Sequence, residues 1–381
     1  MIKIAIVRSS TKPLNLGYYN IQELGLAKAL SQKGIFEIDI YSSVMPLKIW
    51  EIKQINEHVR LINIPLFKLP GQQGVCFRLF KLLKIKDYDY IQCHEESQIM
   101  SIILAFFTKC VLRKKIILYQ GMYEPYVGLK RLMQVVYNFI FLPILKRNTD
   151  IVIAKTDLAR QYLNGLGFKK IQVIPIGLDE ETLRFKTSLK EFNAGIHGFI
   201  ESNHPAFLYV GVIEKRRNLD FMIKLFARIV GIYQNASLII IGDGPYRDNV
   251  KALIKRLSLQ PRVFMLKNLP QRVLFDLYEL ADLFLLPSNY EIYGMVISEC
   301  VWFGLPVITT RNAGALEINK QTGYRGLYMD DLSIDSWLED IKDIFSRPRK
   351  WFKENARLTR ENLFWRKIVD RYIEYAMAGS K

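Results

Sequence analysis

The stretch PSNYEIYGMVISECVWFGLPVITTRNAGALE (residues 287–317) follows an apolar strand pattern, LFLLP (283–287). A polar turn comes next, then a helix predicted to open near Gly294. A second apolar strand over 305–310 leads into a small-residue turn, Asn312-Ala313-Gly314-Ala315, ahead of Glu317. Two carboxylates, Glu291 and Glu299, are separated by seven residues, which sets Glu299 on the helix two turns beyond the loop that holds Glu291. Strand–loop–helix–strand with small residues at each strand's carboxyl end is how an α/β domain makes a pocket for an anion.

On either side, short apolar strands alternate with longer helical patterns, the sign of parallel sheets wrapped by helices. In the first half, strands are predicted at 3–7, 37–41, 90–94, 115–119, 151–154 and 171–174, with helices such as 20–32 and 97–112. The pattern restarts at 207–212, then 237–241, 262–266, 283–286 and 306–309, with helices at 219–233, 247–257 and 272–280. Residues 175–205, polar and Gly-bearing, separate the two sets, and the last helical patterns, 336–345 and 349–377, have no following strand. At 381 residues the chain exceeds a typical single core. The expected class is α/β: two Rossmann-like, doubly wound domains over 1–180 and 181–360, then a C-terminal helix over 361–381. In this class the last helix crosses back to the first domain, which makes Trp365, Tyr372 and Tyr375 packing residues.

Residues 287–317 resemble the donor-binding signature of retaining GT-B glycosyltransferases of family four, also called glycosyl transferases group 1. Glu291 and Glu299 match that family's paired glutamates, Tyr293-Gly294 its Phe-Gly, and Gly304, Pro306 and Val307 its G-x-P-V. Ile292 and Ala313 depart from the pattern, each standing where the family has glycine. VIPIGLD (173–179) is similar to the family's hinge, with Ile176 in place of Asn. The resemblance implies a GT-B fold, a nucleotide-sugar donor bound by the second domain and an acceptor bound by the first.

The strand ending at Gly211 is followed by Lys215, Arg216 and Arg217, where the family holds cations against the nucleotide diphosphate; Val212 stands in the place of its Arg. A cation is needed because the leaving diphosphate gains negative charge as the glycosidic bond breaks. Three basic residues at a helix start also oppose the helix dipole, which a bound anion would relieve. Gly242 and Gly244, in IIIGDGP, match a further donor loop whose glycines let the chain turn at the strand end. By resemblance, Glu291 lies against the sugar ring and Glu299 accepts from the ribose hydroxyls. The amides of Tyr293, Gly294, Met295 and Val296, at a helix start, point at diphosphate and sugar.

On the acceptor side, QCHE (92–95) closes a first-domain strand and resembles the family's H-x-H-E segment. His94 sits where α/β sites form. Two roles stay open for it, donor binding or acceptor deprotonation, beside a plain capped strand end. Gly17 stands where the family places a phosphate-proximal loop, and Gln120-Gly121 where it often has a His-Gly touching acceptor.

Net charge is +17, unevenly spread: residues 1–180 hold 25 Lys and Arg against 14 Asp and Glu, the remainder 29 against 23. Many of these cations flank large apolar groups, as in FRLFKLLKIK (77–86), LRKK (112–115) and GLKRLMQVVYNFIFLPILKR (128–147). That pattern suits a surface lying on anionic lipid, where each Lys or Arg adds about 1 kcal/mol. Solvated basic faces over ordinary core helices are the other reading. No zinc-finger spacing or RNA-binding aromatic motif is present, so nucleic acid is not an expected partner. Cys76, Cys93, Cys110 and Cys300 show no metal spacing and read as free thiols in a reducing compartment. Asp87-Tyr88-Asp89 precedes a strand instead of ending one, so neither metal nor other cofactor is expected. MIKIAIV reads as a strand, not a signal peptide, and no run reaches the roughly 20 apolar residues of a membrane span. A cytoplasmic chain, peripheral on the inner face of the cell membrane, is expected.

The activity implied is transfer of a sugar, with retention, to a hydroxyl of a lipid-linked acceptor or a growing surface polysaccharide or glycolipid. Two alternatives stay open: a nucleotide-sugar epimerase or hydrolase, and a non-catalytic partner subunit of another transferase. Val212, Ile292 and Ala313 keep the latter in view.

Overall fold

The computed structural model describes residues 1–8, 21–44, 51–69 and 74–378. The chain divides into two compact units. One is built from residues 1–8 and Ile21–Gly177 and completed from Ile368 onward; the other runs from Leu178 to Lys367.

In the first unit one sheet takes the spatial order Ile171–Val173, Ile151–Ala154, Lys115–Gln120, Tyr90–His94, Ile2–Arg8, Phe36–Val44, Val59–Pro65, Glu51–Asn56. All neighbours run parallel except the final pair. Ile4, Ala5 and Ile6 are sealed from solvent, as are Ile116, Ile117 and Leu118. Strands buried on both faces carry no polar alternation, which is why these segments read as unbroken apolar runs. The sequence reading omitted Glu51–Asn56 and Val59–Pro65. The first, EIKQIN, is an edge strand exposed along almost its whole length, so no apolar pattern marks it, and pairing with its neighbour alone gives it shape.

The second unit holds an all-parallel sheet in the order Val263–Leu266, Ser237–Ile241, Ala206–Val210, Leu283–Leu286, Val307–Thr309, Leu327–Met329. Counted along the chain this is 3-2-1-4-5-6, the order of dinucleotide-binding sheets. Leu327–Met329, absent from the sequence reading, is an edge strand of three residues, too short to leave a period. Residues 175–205 contain short helices at Glu180–Arg184, Leu189–Phe192 and Ala194–Glu201, each opened by a capping side chain: Asp179, Ser188 and Asn193.

The helical run read at 349–377 is broken. Arg349–Thr359 and Trp365–Met377 are separated by a 3₁₀ turn at Arg360–Leu363. Leu178 pairs with this break, its amide donating to Leu363 O (2.7 Å) and its carbonyl accepting from Trp365 N (3.2 Å). The division between units falls inside the last helix, after Lys367, and not at 360. Within the first unit Tyr372 is fully buried and donates to Gln92 Oε1 (2.5 Å), while Arg371 donates to Val173 O (2.8 Å).

Candidate functional site

Ligands of open α/β sheets bind beyond the strands' carboxyl ends where the strand order reverses. In the second unit that point lies between Ala206–Val210 and Leu283–Leu286, and two loops lock together there. Lys215–Arg217 form a single 3₁₀ turn, closed by Asn218 in the left-handed region (φ 52°) ahead of the helix Leu219–Ile232. Asn218 Nδ2 donates to Pro287 O (2.8 Å), Arg216 to Tyr290 O (3.0 Å) and Arg217 to Ser288 Oγ (3.2 Å).

Arg217 also forms an ion pair with Glu291, with side chains only 13% and 10% exposed. Burial holds the Arg217 pKa below its usual range, and its Nε finds no acceptor among the described residues. A buried guanidinium with a spare donor is suited to an incoming anion. Lys215 is exposed beside it. Val212 is exposed as well, so no cation occupies that place. The glycines are fixed by close packing: a Cβ on Gly242 would lie 1.9 Å from Gly211 O, and one on Gly244 2.4 Å from Ile213 O.

Gly294 (φ 71°) opens the helix Met295–Phe303 in a conformation L side chains resist. Ile297 and Ser298 amides return to Gly294 O, leaving Met295 and Val296 as the helix's first amide donors. Glu299 is buried on this helix, Oε1 accepting from Gln271 Nε2 and Oε2 from Tyr278 Oη, both at 2.8 Å. Tyr293 is buried and accepts from Gln321 Nε2 (2.7 Å). A Cβ on Gly314 would strike Tyr293 O at 2.1 Å, so this glycine lets the next helix, Ala313–Thr322, seat against the loop. Ile292 and Ala313 take no left-handed backbone, so neither needs the glycine of the resembled pattern.

In the first unit the order reverses between Ile2–Arg8 and Tyr90–His94, which puts His94 at that switch. The residue is 8% exposed, and its Nε2 lies 3.2 Å from Gln92 Nε2. Gln92 Oε1 takes the Tyr372 hydroxyl, so the Gln92 amide nitrogen faces the ring and donates. The imidazole then carries its proton on Nδ1, which has no partner among the described residues. Burial pushes the His94 pKa down to about 4, against the opposing pull of Glu23. The ring is neutral at pH 7, its basic nitrogen is occupied, and it offers a hydrogen-bond donor.

Glu95 (φ 61°) accepts from the Gly121 and Met122 amides at 2.9–3.2 Å. Gln120 and Gly121 are buried; Gln120 binds Glu96 through both ends of its amide, Oε1 accepting from Glu96 N (2.9 Å) and Nε2 donating to its carboxylate. Gly17 lies outside the described residues.

Glu96 is fully buried, with Tyr162 donating to Oε1 (2.9 Å) and Tyr137 to its backbone O (3.1 Å). Burial, then the neighbouring Glu95 charge, pushes its carboxyl from the ordinary 4.5 up to about 7. Between those values the native chain holds a proton that the unfolded chain has lost. Stability therefore falls as pH rises through this window, and the loss, on the order of 3 kcal/mol, is complete above 7. Glu96→Gln should melt well above wild type at pH 8 and close to it at pH 5; a difference that does not change with pH would show that Glu96 is charged throughout.

Sequence reasoning missed Ser288, Gln271, Tyr278 and Gln321, and on the first unit Glu96 and Lys155. Ser288 left a signal, as the polar residue that follows the strand-ending Pro287, and Lys155 another, as a charge directly following the apolar strand IVIA.

Residues 197–359 match the family model described as glycosyl transferases group 1. An uncharacterized glycosyltransferase of Methanocaldococcus jannaschii is 21% identical over 346 residues, covering 84% of this chain and 83% of that protein. Alpha-monoglucosyldiacylglycerol synthase of Streptococcus pneumoniae is 23% identical over 269 residues, 67% of this chain but only 59% of the relative's length. The crystal structure of Anabaena HepE in complex with UDP and glucose superposes with a TM-score of 0.69 at 17% identity, covering 99% of this chain and all of that one. The α/β fold of the two units is the GT-B fold of these glycosyltransferase structures, and within the second unit residues 197–359 are similar to the glycosyl transferases group 1 family.

Proposed function

We propose that the chain is a retaining, metal-independent glycosyltransferase of family four. It takes a nucleotide-sugar on its second unit and delivers the sugar to an acceptor hydroxyl held by the first. The observation that carries this reading is the Arg217–Ser288–Glu291 cluster at the reversal of a 3-2-1-4-5-6 sheet, beside the helix start at Met295 and Val296. The similarity to HepE, seen with UDP and glucose, supports a nucleotide-sugar as the ligand. Arg217, Lys215 and the helix-start amides meet the charge that develops on the leaving diphosphate. Glu299 accepts from the ribose hydroxyls while Gln271 and Tyr278 fix its orientation. His94, whose basic nitrogen is occupied by Gln92, does not take a proton. The acceptor proton passes instead to the leaving diphosphate oxygen on the same face, which preserves the anomeric configuration.

The acceptor is lipid-linked and the chain works on a cytoplasmic membrane face. The helix Leu129–Asn148 supports this, since its solvent side carries Leu129, Leu132, Met133, Val136, Phe139 and Ile140 between basic ends. The name of the S. pneumoniae relative points to the same class of acceptor.

Calorimetric titration with UDP, GDP, ADP and dTDP tests the reading. One nucleotide should bind, and Glu299→Ala should weaken it at least tenfold. If a folded chain, with lipid present, binds none of the four, the transferase reading falls and the non-catalytic partner subunit replaces it.

A further inference from the structure

Among the described residues, two buried donors of the first unit have few hydrogen-bond partners, although the Glu23 charge acts on both. Lys155 follows the strand Ile151–Ala154, and its side chain is 4% exposed. Its ammonium reaches Glu95 Oε1 at a long 3.5 Å, and the Tyr119 ring lies 5.4 Å from Nζ. The Glu95 carboxylate is already committed to the amides of Gly121 and Met122. An ammonium carries three donors, and burying one against a single long contact is unfavourable. His94 packs on the same Tyr119 ring, 5.8 Å between centroids, with Nδ1 unpartnered among the described residues. The strands ending at Lys155, Gln120 and His94 are consecutive in the sheet, so both donors flank the Gln120-Gly121 turn. The next strand ends in a second cation, Arg8, 3.8 Å from the Glu23 carboxylate.

We infer that the first unit recognises its acceptor through an oxyanion, a phosphate or a carboxylate, seated between the Lys155 ammonium and His94 Nδ1–H. This deepens the glycosyltransferase reading and rests on the first unit being the acceptor side. It narrows the acceptor from any hydroxyl compound to an acidic one, such as a phospholipid headgroup, a lipid-linked sugar phosphate or a uronic acid residue. Charge-assisted hydrogen bonds to such a group supply what the described residues leave unmet.

The test uses the full chain with excess UDP, so that anion sites of the second unit are filled, and UDP affinity is recorded separately. Methyl phosphate, methyl glucuronoside, short-chain phosphatidic acid and, as a neutral control, methyl glucoside are titrated by calorimetry, while NMR follows the His94 ring nitrogens. At least one anion should bind and shift the His94 signals, the neutral glucoside should not, and Lys155→Met should weaken binding tenfold or more. Binding by methyl phosphate assigns the free headgroup, binding by phosphatidic acid alone a lipid source, and binding by the glucuronoside a carboxylate; each supports the inference. Lys155→Met should leave UDP affinity unchanged and melt no lower than wild type, because it removes an under-solvated cation. Absence of anion binding, retention of it in Lys155→Met, or a melting point lowered by several degrees would each overturn it, the last by making Lys155 the structural partner of Glu95. Loss of UDP binding in the wild type would instead count against the transferase reading.

Discussion

The double substitution Arg217→Met, Glu291→Gln should cut nucleotide release from the sugar donor by two to three orders of magnitude in a protein that remains folded. Arg217 and Glu291 are mutually paired and nearly buried, so removing either alone would strand an uncompensated charge, at a cost of about 3–5 kcal/mol. Two neutral near-isosteres avoid that, and any loss of turnover then reports on chemistry. One preorganised group aimed at developing charge contributes roughly 2.7–4 kcal/mol to the transition state, or 10²–10³ in rate. The ground-state diphosphate carries less charge at the breaking bond, so affinity for the nucleotide should fall by only about tenfold. Turnover with saturating donor, nucleotide binding by calorimetry and a melting curve separate these effects. A folded double variant that turns over within fivefold of wild type would remove Arg217 from the donor site.

The two glutamates show where sequence reasoning succeeds and where it stops. Their spacing places Glu299 on the helix after Gly294 and Glu291 in the loop before it, because a local rule fixes both. Their partners obey no local rule. Arg217 meets Glu291 across two loops that only the sheet order brings together. Gln271 and Tyr278 reach Glu299 because the helix Gln271–Leu280 packs on Met295–Phe303, and neither residue belongs to a motif. The same holds for the first unit. His94 is legible as the polar end of an apolar strand, but its neutrality comes from burial and its tautomer from Gln92, which Tyr372 orients from the far end of the chain. Central strands are legible because burial on both faces makes them apolar throughout. Glu51–Asn56 is not, because an exposed edge imposes no composition. For the helix Leu129–Asn148 the apolar run and its basic ends are visible in the sequence, while the direction in which the apolar side faces is not.

That direction leads to the second large effect: Leu132→Ser with Phe139→Ser should lower binding to anionic vesicles by roughly a hundredfold. The helix shows an apolar side to solvent, although Leu142 and Leu145 are buried on it. Its buried positions include Gln134 and Asn148, Gln134 being held by the Tyr126 amide (2.8 Å) and the Tyr162 hydroxyl (3.0 Å). Its outward positions include Leu129 and Phe139, 78% and 84% exposed. In water a helix turns its apolar stripe inward, and a contiguous outward one marks a contact surface. Lys130, Arg131, Lys146 and Arg147 at its two ends make an anionic surface the complementary partner. No described helix is long and apolar enough to cross a membrane, so the helix would lie in the interface plane. Inserting one large apolar side chain contributes about 1.5–3 kcal/mol, so the pair contributes 3 kcal/mol or more, a factor of about 10². Both side chains point into solvent, and the fold should lose no more than about 0.5 kcal/mol. Co-sedimentation with phosphatidylglycerol and phosphatidylcholine vesicles at low and high salt reads both components, since screening weakens the cations and leaves the apolar term. A second copy of the chain covering this face would give the opposite record. The wild type would be dimeric and indifferent to vesicles, the variant would be monomeric, and the membrane assignment would fall.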